Sequence, residues 1–207
     1  MGRTTGCCTR LWLTGSVAHS IELLPDDDTD AWVRRRWSAL ADVGLPSAQR
    51  VRSDTNRPHV TLLAAGHITS AADAALGPAA QRLPLRCIIG APVVFGHGSR
   101  HTLALLVVPS TELLSLHAQV ARTVRPHTVH PDDAAAGAEN PSTFAHVEPG
   151  GWTPHITLGR RFTYRQIGEA LATLEPLGEP DRICTFTALR RWNPDAGTEH
   201  VVAGRAC

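Results

Sequence analysis

Two short stretches of this chain could do chemistry as a pair: Pro58-His59-Val60-Thr61-Leu62 and Pro154-His155-Ile156-Thr157-Leu158. Their histidines stand 96 positions apart (155 − 59). Imidazole can both take and give a proton near neutral pH. Two of them can divide the work on a phosphodiester, one drawing a proton from the attacking oxygen, the other protonating the leaving oxygen. Two threonine hydroxyls can donate to the non-bridging oxygens where charge develops. That set calls for no metal and no cofactor, and none is expected. The tripeptide alone is weak evidence, because His-x-Thr occurs a third time at His67–Thr69. There it lacks the flanking Pro and Leu, and His67 reads as a loop histidine.

Both motifs read as strands. In a strand, residues i and i+2 share a face. His59 and Thr61 therefore point one way, and Val60 and Leu62 point into a core. The same holds for His155 and Thr157 against Ile156 and Leu158. Pro58 and Pro154 keep the preceding residue out of helix and suit the mouth of a strand.

The surrounding pattern supplies the scaffold. Strands are expected over 19–25, 59–68, 85–95, 102–109, 155–162, 182–192 and 199–205. Helices are expected over 29–43, from Ser70 to about Leu83 with a capping box to Asp73, from Ser110 to Val124, and over 164–174. Arg34–Arg36 reads as a solvated helix face. Residues 125–152, rich in Pro, Gly, Ala, Asp and His, read as a long loop. Laid over each other at an offset of 96, the halves share an order of strand, helix, strand, turn, strand, and the turn at 96–102 falls on that at 192–198. The expected fold is α+β: a duplicated, bilobal, pseudo-twofold domain over 19–207 with interleaved lobes. Antiparallel sheets would line a central cleft and helices would lie outside.

Composition bounds the function. The chain has 207 residues, 43% hydrophobic and 19% charged, which suits a globular domain. The formal net charge is +1, from 20 basic residues (all arginine) and 19 acidic ones. Such a balance does not suit grip on duplex DNA. No apolar run approaches the roughly 20 residues that span a bilayer. Five cysteines with no CxxC spacing argue against a disulfide framework or zinc site, and Cys87 and Cys184 read as buried thiols. A reducing, cytoplasmic setting and a monomer are expected. Residues 1–18 read as a disordered extension. Arg10 interrupts any signal-peptide core, and Gly6 breaks the myristoylation pattern.

The motif pair resembles the 2H phosphoesterases, specifically the 2′-5′ RNA ligase / RNA 2′,3′-cyclic phosphodiesterase branch. The matching text is PHVTL at 58–62 and PHITLGR at 154–160. The resemblance implies metal-independent chemistry on 2′,3′-cyclic phosphates or 2′-5′ linkages, with RNA ends or cyclic nucleotides as substrates. It implies His59 as proton donor and His155 as acceptor, roles that the reverse reaction exchanges. Thr61 and Thr157 would hold the phosphate. Arg160 matches an arginine that often follows the second motif, and is either a phosphate ligand or a surface residue at a strand end. Trp152 and Phe162 flank the second motif as candidates for base stacking or as packing residues.

Two rival readings stand beside this one. The first is a nucleotide or RNA sensor on the same fold, although pure binding needs no acid/base pair. The second is a metal hydrolase built on His127, His130, Asp132 and Asp133, where Pro126 and Pro131 prevent a helix from presenting the ligands.

Overall fold

A computed structural model describes residues 18–96, 100–129, 143–178 and 181–204. The expected extension lies outside these residues except for Ala18. His97, His130, Asp132 and Asp133 lie outside them too. Among the described residues, no helix is long and apolar enough to cross a membrane.

The strands are β1 (His19–Pro25), β2 (Val60–Ala65), β3 (His67–Ile68), β4 (Leu85–Phe95), β5 (His101–Val107), β6 (Thr128–Val129), β7 (His155–Phe162), β8 (Arg182–Asn193) and β9 (Thr198–Ala203). The helices are α1 (Asp27–Asp42), α2 (Ala71–Ala75), α3 (Gly77–Ala80), α4 (Thr111–Val124) and α5 (Tyr164–Leu174). Local chemistry sets the helix starts. Asp26 accepts from the Thr29 N–H, Ser110 from Leu113, and Thr163 forms a capping box with Gln166.

Seven strands form one sheet in the order β1-β2-β7-β5-β4-β8-β9, and a further β1–β8 pairing closes six of them into a ring. The ring is palindromic about the β2–β7 contact. β1 and β5 flank that central pair, and β8 and β4 flank those. The α+β class is therefore as expected, but the repeat is drawn differently. β2 and β7 keep the offset of 96. β5, however, corresponds to β1 and not to β9. The text agrees: HSIELLP at 19–25 lies over HTLALLV at 101–107, 82 positions on (101 − 19). Each is followed by a capped helix. Among the described residues, β9 is an added strand paired only with β8.

The lobes exchange strands. β8 pairs with β1 through Phe186–Trp192 and with β4 through Arg182–Phe186. At the second crossing Cys87 lies opposite Cys184. Both are buried free thiols, and burial pushes their pKa up to about 11 and about 12. A thiol so placed is packing material and not a nucleophile.

Three local expectations change. The helix expected from Ser70 is split into α2 and α3 at Gly77-Pro78, because proline cannot donate within the continuing ladder. Ser70 makes no side-chain cap, and Asp73 instead takes the Arg191 guanidinium through Nε at 2.7 Å and Nη2 at 2.8 Å. The triple arginine is not uniformly solvated. Arg36 is buried, lies 3.3 Å over the Trp32 ring, and donates to the carbonyls of Leu177 and Gly178. His101, at the end of the turn expected over 96–102, is buried and packs 4.3 Å from the Tyr164 ring.

Candidate active site

β2 and β7 touch through one residue pair, Val60 opposite Ile156. Both are fully buried. In an antiparallel register this places His59 across from Thr157 and Thr61 across from His155. All four side chains point to the face opposite the core, and all four are half-buried. Sequence spacing anticipated this face. The register adds that the two motifs are immediate neighbours, each histidine beside the other motif's threonine.

The two imidazoles are held alike. His59 Nδ1 lies 2.7 Å from the Arg57 carbonyl, and His155 Nδ1 lies 2.7 Å from the Thr153 carbonyl. A carbonyl only accepts, so each Nδ1 carries the hydrogen and each Nε2 is the nitrogen left for chemistry. The motif backbones are also held alike. The Trp37 indole donates to the Thr157 carbonyl at 3.0 Å, and the Trp152 indole donates to that of Thr61 at 2.9 Å.

The surroundings break this symmetry. β1 places Glu22 opposite Thr61, and β5 places Ala104 opposite Thr157. These positions correspond at the offset of 82 (104 − 22). Glu22 Oε1 lies 3.6 Å from His59 Nε2. Its carboxylate also accepts from Ser20 Oγ at 2.5 Å and Arg190 Nε at 2.8 Å. Burial pushes the Glu22 carboxyl upward, but His59, Arg190 and Ser20 together hold it below its ordinary 4.5. His59 therefore faces a carboxylate, whereas the corresponding position beside the second motif's threonine carries only the Ala104 methyl group. The His155 imidazole is held below 6.5, chiefly by desolvation, with His59, Arg160 and His146 adding repulsion and the Thr153 carbonyl opposing them.

A ring of buried charge backs His59. Arg190 joins Glu22 to Glu199, and Arg57, whose carbonyl orients His59, reaches Glu199 at 2.9 Å. The buried Glu22 carboxylate is met by Arg190, Ser20 and His59, which offsets the cost of burying its charge.

Arg160 reaches the site through an irregular strand. The β5–β7 register pairs Ala104 with Thr157, then Leu103 with Gly159, then Thr102 with Arg160. The extra residue at 158–159 is a bulge that returns Arg160 to the histidine face. Arg161, at φ 70, makes a second irregularity that turns Phe162 inward. Gly159 is needed for close approach. A Cβ there would meet the Pro46 carbonyl oxygen at 2.5 Å and the Phe162 ring at 2.8 Å.

The stacking candidates are corrected. Phe162 is fully buried in the core and has no face for a base. Trp152 is half-buried, with one face stacked on His117 at 3.9 Å and its N–H on Thr61, so it props up the first motif strand. Phe95 is the aromatic at the site, with its ring 4.5 Å from that of His155. Neither Phe95 nor Glu22 follows from the motif text. The signal for Glu22 was a single carboxylate inside the apolar strand HSIELLP.

Two histidines on paired motif strands of a duplicated α+β sheet, each with its threonine, define a 2H phosphoesterase. A sequence profile described as the 2′-5′ RNA ligase superfamily matches residues 25–198, and the chain belongs to that family. It is a phosphodiesterase by class. No curated protein matches it. Solved structures of Kluyveromyces marxianus Usb1 are similar in fold. One covers 90% of this chain and 97% of its own at 11% identity, with a TM-score of 0.44. Another, with uridine monophosphate, covers 91% and 98% at 12% identity, with a TM-score of 0.47.

Proposed function

We propose that the chain opens 2′,3′-cyclic phosphates at RNA ends or in nucleotides to 2′-phosphates, without a metal in the reaction, and that the same step with an RNA 5′-hydroxyl in place of water joins a 2′-5′ linkage reversibly. The observation that carries this reading is the pair of Nε2 atoms left for chemistry by matching Nδ1–carbonyl bonds, with two threonine hydroxyls between them. A water attacks phosphorus as His155 Nε2 takes its proton. The P–O3′ bond breaks as His59 gives its Nε2 proton to the leaving oxygen. Thr61 and Thr157 donate to the non-bridging oxygens, and Arg160 offsets the charge that builds there. At the end, His155 carries a proton and His59 lacks one, so the pair is reset by exchange with solvent or by the reverse reaction.

The assignment of His59 as acid and His155 as base rests on Glu22 against Ala104. The Glu22 carboxylate stands 3.6 Å from His59 Nε2, the nitrogen that gives its proton, whereas burial holds the His155 imidazole below its ordinary value and favours its neutral, proton-taking form. The test is incubation with a 2′,3′-cyclic mononucleotide in excess EDTA and identification of the product by phosphorus NMR. The 2′-phosphate is expected. A 3′-phosphate would reverse the leaving oxygen, and an unreacted substrate with measurable binding would favour a nucleotide sensor.

A further inference from the structure

Three ligand-type atoms converge outside the proposed active site, at the start of β1, in β3 and in the β8–β9 turn. His19 Nε2 lies 2.8 Å from Asp195 Oδ2 and 3.2 Å from His67 Nδ1, and His67 Nδ1 lies 3.7 Å from the same carboxylate oxygen. His19 pairs with Ala65 on β2, four residues beyond Thr61 (65 − 61), or ~13 Å along the strand at about 3.3 Å per residue. We propose that His19, His67 and Asp195 form a binding site for one divalent transition cation, with Zn²⁺ as the best match to the donor set.

The distances support a shared cation over a hydrogen-bonded cluster. Metal–ligand bonds of about 2.0–2.1 Å arranged tetrahedrally put neighbouring ligand atoms ~3.3 Å apart. The three separations, 2.8, 3.2 and 3.7 Å, bracket that edge. As hydrogen bonds they conflict. His19 Nε2 has one hydrogen for two neighbours, and giving it to Asp195 leaves His67 Nδ1 a contact with the carboxylate that is too long for a hydrogen bond. A cation would engage all three atoms at once. The rings meet at 63° with centroids 4.4 Å apart, so both lone pairs can aim at one point. His19 is fully buried and, among the described residues, its Nδ1 has no partner, so its polar anchoring there comes from this cluster.

Two imidazoles and one carboxylate suit zinc and its neighbours better than magnesium or calcium, which prefer all-oxygen sites. Three protein ligands leave a position for water. His67 and Asp195 are 43% and 71% exposed, so an ion can enter from solvent. Bound there, it would tie β1, the β2–β3 link and the β8–β9 turn together.

The test is calorimetric titration of the full chain, freed of metal by dialysis against chelator, with Zn²⁺ alone. The exposed ligands are varied, because His19→Ala would empty a buried position. One ion per chain is expected, with at least a tenfold loss of affinity in both His67→Ala and Asp195→Asn. His155→Ala should bind as the wild type does, since the proposed site is separate from the histidine pair. The proposal is overturned by an absence of uptake, by uptake that both ligand variants retain, or by uptake that is lost in His155→Ala.

Discussion

At the scale of single residues, the distinction between the two histidines comes from what stands opposite their threonines. Glu22→Gln removes the charge facing His59 and keeps the shape. The rate of 2′,3′-cyclic mononucleotide hydrolysis should fall while the fold is kept. An unchanged rate would remove Glu22 from the acid/base assignment. The acidic limb of the pH–rate profile belongs to the base. Because His155 is held below 6.5, it stays neutral where an ordinary imidazole would be half-charged. Measured kcat/KM should therefore hold its plateau down through pH 6.5 and fall only below it. The motif residues and their face were legible in the text, because strand period alone fixes which neighbours share a side. Glu22 was not, because its proximity to His59 depends on the β1–β2 register. The stacking role read for Phe162 failed for a similar reason: the bulges around Gly159 and Arg161 shift the strand's parity, and simple alternation cannot see them.

At the scale of elements, the charged ring beneath β1, β8 and β9 fixes the mouth of the first motif. Arg190→Met would leave Glu22 buried without its main counter-charge. A loss of roughly 3–5 kcal/mol is expected in urea unfolding, the range for breaking a buried pair from one side. In the intact protein the Glu22 carboxyl lies below its ordinary 4.5. Its contribution to stability is therefore complete above that pH and fades as pH falls through its lowered value in the fold. Gly159→Ala tests the bulge that presents Arg160. The added methyl meets the Pro46 carbonyl and the Phe162 ring, so a cost of about 1–3 kcal/mol is expected, with a rise in KM as Arg160 shifts. Helix positions were largely readable from caps and periodicity. The split at Gly77-Pro78 and the burial of Arg36 were not, since both depend on what packs against the helix.

At the scale of the whole molecule, each lobe completes its sheet with a strand from the other half of the chain. β4 and β8 cross at Cys87 and Cys184, and one continuous core holds residues from both lobes. Neither half can bury its sheet alone, so unfolding should be a single transition seen alike by tryptophan fluorescence and circular dichroism. Two separated transitions would mean independent lobes. The duplication itself was visible in the repeated motif, but the crossing of strands was not, because a one-dimensional offset cannot show which sheet a strand joins. The β2–β7 contact puts one histidine from each half at a shared site, and the proposed chemistry depends on it. It is tested most directly by the rate of 2′,3′-cyclic mononucleotide hydrolysis in excess EDTA for the wild type, His59→Ala and His155→Ala, each shown folded by circular dichroism. Activity should survive the chelator and fall by about 10²–10⁴ in each variant. Folded variants that keep the wild-type rate, or activity that disappears with EDTA, would contradict it.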